Sequence, residues 1–134
     1  MRVFLDTNVL ASALATRGLC ADILRKVINS DDLIISEPLV IELRRIMARK
    51  FHVTESLINE MVAFLQQDTI PAPDGNLIDI EIRDKDDVII LSSAIRAKNQ
   101  VFVTGDKEVL ALGKIGRMRI LSPRGFWDTT KKKA

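Results

Sequence analysis

Short apolar runs that stop at an aspartate constrain this chain most. Val3-Phe4-Leu5 is followed at once by Asp6, and Val101-Phe102-Val103 by Thr104, Gly105 and Asp106. Runs this short and continuous suit strands buried on both faces, and such strands occur in parallel sheets covered by helices. Between them the apolar period changes. Ala21, Leu24, Val27 and Ile28 recur at helical spacing, as do Leu39, Val40, Leu43, Ile46 and Met47 from Glu37 to about Lys50. Leu57, Ile58, Met61, Phe64 and Leu65 repeat the pattern after Thr54, and Val88, Ile90, Leu91, Ala94 and Ile95 repeat it between Asp86 and Ala97. Leu33-Ile34-Ile35 and Met118 to Leu121 read as further strands. Ser36 and Thr54 are expected N-caps, with Pro38 in a first helical turn. Pro71 to Gly75 and Gly113 to Gly116 read as loops. Leu77 to Ile82 alternates as an edge strand or an extended segment would. Pro123 opens a final turn to Trp127.

Strand and helix in alternation predict an α/β fold: three layers, α/β/α, around a mainly parallel sheet of about five strands, wound in the Rossmann manner. The 134 residues suit one domain, expected over residues 1–130, with residues 131–134 a disordered basic tail. Met1-Arg2 and the short run after it lack the apolar core of a secretion signal, and no stretch reaches the roughly 20 apolar residues of a membrane span. A cytoplasmic protein with a free thiol is the expectation.

Composition narrows the chemistry. Cys20 and His52 are the single cysteine and the single histidine. No internal disulfide and no closed Cys/His zinc site can be built from them, and a histidine-based nucleophilic triad would have to run through His52. Cys20 reads as a small buried apolar side chain, His52 as a surface residue past a helix, and Trp127 as packing the C-terminal turn onto the domain. Carboxylates are plentiful: 18 acids stand against 20 bases, for a net charge of +2. Lys131, Lys132 and Lys133 supply three of those bases, so the charge total alone says little about nucleic acid.

In a parallel sheet ligands bind outside the carboxyl ends of the strands, where Asp6 and Asp106 must lie. Glu42 is the lone acid among the apolar positions of its predicted helix. Asp84, Asp86 and Asp87 open another helix, and Asp87 directly precedes Val88-Ile89-Ile90-Leu91. Each acid alone is explained by capping or turn chemistry, and Glu42 by pairing with Arg45 or Arg49. Together, carboxylates from four segments would repel one another at one sheet edge unless a cation or proton neutralised them. Hard divalent ions such as Mg²⁺ or Mn²⁺ prefer such oxygen donors.

The segments FLDTNVL, ISEPLVIELRRIM, RDKDDVIILSSAI and VFVTGDKEVL, with the ending RILSPRGFWD, resemble the PIN-domain family of metal-dependent ribonucleases. Within it, the chain is similar to VapC-like toxins of prokaryotic toxin–antitoxin pairs. The resemblance spans nearly the whole chain, as a single PIN-like domain. It implies that Asp6, Glu42, Asp87 and Asp106 are the metal-binding and catalytic acids, holding one or two Mg²⁺ or Mn²⁺ ions. It further implies that Asn8 and Thr104 support them; relatives also carry an acid at the position of Asp84, read here as supporting, and Asp87 is taken as the third ligand because it directly precedes the apolar run. The implied activity is endoribonuclease cleavage of single-stranded or structured RNA by metal-activated water, leaving a 5′ phosphate and a 3′ hydroxyl.

Arg44, Arg45 and Arg49 beside Glu42, Lys85 before the third acid and Lys107 after the fourth are the RNA-contact candidates. The toxin resemblance implies an antitoxin partner and a homodimer or higher assembly, for which the helices from Glu37 to Gln67 offer a surface. A non-catalytic PIN-fold module that binds RNA or protein is the alternative. A signalling receiver domain shares the size and the strand-end aspartates. It requires an acidic pair after the first strand and a phosphoacceptor aspartate ending a middle strand, whereas here Asp6-Thr7-Asn8 holds one acid and the second strand ends at Ser36.

Overall fold

The computed structural model describes residues 1–131. Its elements run β1 (Arg2–Leu5), α1 (Thr7–Ala15), α2 (Leu19–Ser30), β2 (Asp32–Ile35), α3 (Glu37–Arg49), α4 (Glu55–Gln67), β3 (Ile70–Pro71), α5 (Lys85–Arg96), β4 (Val101–Val103), α6 (Lys107–Leu110), β5 (Lys114–Ile115), β6 (Met118–Leu121) and α7 (Pro123–Lys131). The sheet has six strands in the order β3-β2-β1-β4-β6-β5, all parallel except the β5–β6 pair. Every residue of β4, and all but the first of β1 and β2, is buried. Strands buried on successive residues have both faces covered, as a three-layer α/β/α fold requires.

The centre of the core is the β1–β4 pair. Phe4 lies opposite Phe102 in register, and their rings stack 5.3 Å apart at 8°. The register also sets Leu5 against Val103, so the residues just beyond, Asp6 and Thr104, meet at the same edge. From β1 the chain moves outward through β2 and β3. From β4 it moves the opposite way to β6 and β5. The strand order therefore reverses between β1 and β4, the place where doubly wound sheets open a crevice for ligands.

Several expectations are corrected. The sheet has a sixth strand, because residues 114–115 pair with β6 instead of forming only a loop, while Ile70–Pro71 takes the edge beside β2. Residues 77–82 form no strand. Ile78, Ile80 and Ile82 are half-buried, the latter two against the core, while Asp79 and Glu81 are exposed, so the alternation records one-sided burial without a pairing partner. Thr7–Ala15, unmarked by any period, is a helix, and the final turn is a nine-residue helix ending at Lys131. Lys131, the first residue of the expected tail, is thus the last of this helix, and the rest of the expected tail lies outside the described residues.

Phe126, fully buried, is the aromatic that anchors α7, while Trp127 and Cys20 are half-buried. Helix α4 buries Ile58, Val62 and Leu65, leaving Leu57 and Phe64 exposed. Ser36 and Thr54 cap their helices as expected, accepting from Leu39 N and Leu57 N, each at 3.3 Å. His52 is exposed and adopts a left-handed backbone, φ 54°. Among the described residues no helix is long and apolar enough to cross a membrane.

Candidate active site

Asp6 occupies the point where β1 gives way to α1. One oxygen, Oδ1, accepts from Thr7 N at 2.8 Å and caps the helix. The other, Oδ2, accepts from the Thr104 hydroxyl at 2.7 Å. Thr104 in turn accepts from Asp106 N at 3.1 Å. Because that amide can only donate, the Thr104 proton is directed at Asp6. A short relay, Asp106 N–H to Thr104 O–H to Asp6, therefore joins the ends of β4 and β1. Asp6 is 8% exposed and Thr104 fully buried. Burial pushes the Asp6 carboxyl above the usual range, against the lowering pull of Thr104 and the Thr7 amide, and Asp106 adds to the rise.

Asp106 also caps α6, accepting from Glu108 N at 2.8 Å and Val109 N at 3.2 Å. Asp84 caps α5, accepting from Asp86 N at 2.8 Å. The bland reading of these acids as caps is thus realised for Asp6, Asp84 and Asp106. Capping occupies one side of a carboxylate and leaves lone pairs on the other. The same caps fix where the acids stand.

Glu42 and Asp87 cap nothing. Glu42 lies midway along α3, half-buried. Its carboxyl is raised by burial first, then by Asp6, Asp86 and Asp84, while the nearby Thr7 hydroxyl lowers it. Asp87, in the first turn of α5, is pushed up to about 7. Burial is the main cause, followed by Asp84, Asp6, Asp106 and Glu42. No cation appears among the groups acting on either acid. Carboxylates from β1, α3, α5 and the β4–α6 junction thus feel one another's charge.

The acids are gathered to electrostatic range, not to ligating range: among the described residues, no three His, Cys, Asp or Glu side chains could hold one ion as they stand. Oxygen donors with uncompensated mutual repulsion still suit a hard divalent cation. Asp6, Glu42, Asp87 and Asp106 are the residues that would hold it. Asp84, the exposed cap, stands beside Asp87. Asn8, on the second residue of α1, is exposed and makes no side-chain hydrogen bond among the described residues.

The basic candidates divide. Arg45 lines a cavity of about 280 Å³ together with Glu42, Asp86, Pro38, Ile41 and Ile89. Lys85 and Lys107 are exposed on the first residues of α5 and α6, next to the acids. Arg44 instead turns to α4, donating to Asn59 Oδ1 at 2.8 Å. Arg49 lies in the last turn of α3, roughly two turns from Glu42.

Two residues went unnoticed in the sequence. Glu108 holds the segment before α5, accepting from Arg83 N at 3.1 Å and pairing with the Arg83 guanidinium at 3.7 Å. Thr7 is fully buried, and its hydroxyl has no hydrogen-bond partner among the described residues. A hydroxyl directly after a strand-end acid, at the start of a mostly apolar helix, was the available signal.

Comparison with protein families decides the assignment: the model of the PIN domain matches residues 2–108, most of the chain. The chain belongs to the PIN-domain family. Among solved structures, this PIN domain is similar to a chain in the crystal structure of VapBC2 from Rickettsia felis bound to a DNA fragment from their promoter. The TM-score is 0.63 at 15% identity, over 91% of this chain and 98% of that one. At that identity the likeness speaks for the fold, and it bears out the three-layer PIN-like architecture. No curated protein matches the chain.

Proposed function

We propose that this PIN domain is a Mg²⁺- or Mn²⁺-dependent endoribonuclease and the toxin component of a toxin–antitoxin pair. The observation that carries the nuclease reading is the gathering of Asp6, Glu42, Asp87 and Asp106 at the strand-order reversal, with no basic side chain among the groups acting on Glu42 or Asp87. One or two bound divalent ions would acidify a water for attack on phosphorus and neutralise the phosphate's growing charge. The chain's own part is orientation. Thr104 fixes the Asp6 carboxylate, Asp106 and Asp84 fix the starts of α6 and α5, and Glu108 holds the approach to α5. Arg45, Lys85 and Lys107 stand where a phosphate backbone would cross the edge, and Arg44 and Arg49 contribute at most at longer range. No histidine is required, which suits a chain whose only one, His52, is exposed in the loop between α3 and α4.

The toxin reading rests on the VapBC2 likeness and on apolar surface that this domain leaves open. Ile41, Leu57 and Phe64 are exposed on α3 and α4, and Phe64 borders a cavity of about 390 Å³ with Ala13, Leu14, Leu24 and Ile28. Such surface suits an antitoxin or a second copy of the chain. A non-catalytic PIN module that binds RNA or protein is the second reading, favoured by the absence, among the described residues, of three acids within reach of one ion. Cleavage of mixed RNA in Mg²⁺ or Mn²⁺ that stops in EDTA supports the first reading. Binding without cleavage supports the second. Co-purification with the product of the neighbouring gene tests the toxin role separately.

A further inference from the structure

Thr7 carries the buried hydroxyl at the site whose hydrogen-bonding capacity is unused among the described residues. It is the first residue of α1 and fully buried. Its backbone amide is committed to Asp6 Oδ1. A threonine inside a helix usually turns its hydroxyl back to the carbonyl three or four residues earlier, but at the first helical position no turn precedes it. Its Oγ1 accordingly has no partner among the described residues. A buried hydroxyl without a partner is costly and needs an explanation. The carboxylate beside it is Glu42, on the helix packed against α1. Glu42 makes no side-chain hydrogen bond among the described residues either. An unused donor and an unused acceptor thus stand side by side, with no settled hydrogen bond between them.

We propose that Thr7 is a positioning residue: its hydroxyl closes onto the Glu42 carboxylate when the site binds a divalent cation, and this bond aims Glu42 at the ion. The inference rests on the metal-dependent reading of the site. Asp6 offers the precedent one residue away. Its carboxylate is held by a buried threonine hydroxyl, Thr104, from the neighbouring strand end. Glu42 would be held in the same way from α1. Groups that orient ligands rather than bind metal are worth about 10–100-fold in metal affinity or activity.

The test is Mn²⁺ titration followed by calorimetry, together with thermal unfolding of metal-free protein, on wild type, Thr7→Val, Thr7→Ser, Glu42→Gln and the Thr7→Val/Glu42→Gln double variant. Thr7→Val should bind Mn²⁺ about tenfold or more weakly. Its metal-free melting temperature should nonetheless stay level or rise by up to about 4 °C, because the methyl removes an unsatisfied hydroxyl. Thr7→Ser should restore affinity to within about twofold. In the Glu42→Gln background, Thr7→Val should cost little further affinity, since the two residues act as one unit. A Thr7→Val that binds Mn²⁺ like wild type overturns the inference. So does one whose metal-free protein melts well below wild type, which would make Thr7 a structural residue. If wild type itself neither binds Mn²⁺ nor cuts RNA, the metallonuclease reading falls and this inference falls with it.

Discussion

Replacing Thr104 by valine isolates the bond on which the geometry of Asp6 depends. Thr104 is fully buried and donates to Asp6 Oδ2 at 2.7 Å, while accepting from Asp106 N at 3.1 Å. Valine keeps the shape and deletes the hydroxyl. A hydrogen bond to an ionised group contributes about 1.5–3 kcal/mol, and the half-buried Asp106 amide loses its acceptor as well, although water can reach it. Where Asp6 is ionised, the metal-free protein should therefore lose about 2–3 kcal/mol. In a chain of this size that is a fall of roughly 6–12 °C in melting temperature. The sign with pH is fixed. Thr104 lowers the Asp6 pKa, so the variant raises it further, and the deficit is full only above the variant's higher pKa, where Asp6 is ionised in both proteins. It must shrink as pH falls through the folded-state pKa of Asp6. Urea unfolding of both proteins across a pH series reads this directly, with Thr104→Ser as the control that keeps the bond. A Thr104→Val as stable as wild type at every pH would refute the reasoning, because Asp6 would then not be held as a buried carboxylate by Thr104.

Other outcomes follow from the same charges and contacts. Asp87, pushed up to about 7, takes up a proton in the native state before the unfolded chain does, so metal-free protein should gain stability as pH drops from about 7 towards 4. Asp87→Asn should flatten that slope, which thermal scans without metal will show. Asp31 behaves oppositely, because Lys26 and the Met1 ammonium hold its carboxyl below the usual range and its contribution disappears only as pH falls below about 4. Lys26→Met should cost about 1 kcal/mol at pH 7 and nothing once Asp31 is protonated, measured by urea unfolding at the two pH values. Arg45→Ala should raise KM for RNA several-fold and flatten its salt dependence with little change in kcat, whereas Arg44→Ala, whose guanidinium is tied to Asn59, should leave KM nearly unchanged.

The core of the fold was legible because its strands are buried on both faces and read as unbroken apolar runs. Val3-Phe4-Leu5 and Val101-Phe102-Val103 need no partner information to be recognised, and the aspartates after them fall at the sheet edge for the same reason. Helix α1 was illegible because Thr7–Ala15 is apolar on nearly every side and shows no amphipathic period. The 77–82 segment misled for a complementary reason. Alternation reports which side chains are buried and is silent on backbone pairing, and here Ile78 N is satisfied by Ser92 Oγ instead of a strand. The two-residue strands β3 and β5 are too short to leave a pattern.

At the site, sequence placed the acids on the right elements. It could not show that they stop short of ligating distance, nor that Asp6, Asp84 and Asp106 also cap helices. Thr7 escaped because its significance lies in an unsatisfied hydroxyl, which depends on how α1 packs against α3.

The central claim is that carboxylates and a divalent ion do the chemistry. It is tested most directly by incubating purified protein with mixed RNA in Mn²⁺, in EDTA, and in Mn²⁺ with Asp6→Asn. The account predicts cleavage with 5′ phosphate ends in the first case and none in the other two, with Asp6→Asn as stable as wild type or more so in metal-free buffer. Full cleavage in EDTA, or an Asp6→Asn that cuts RNA as well as wild type does, would contradict it.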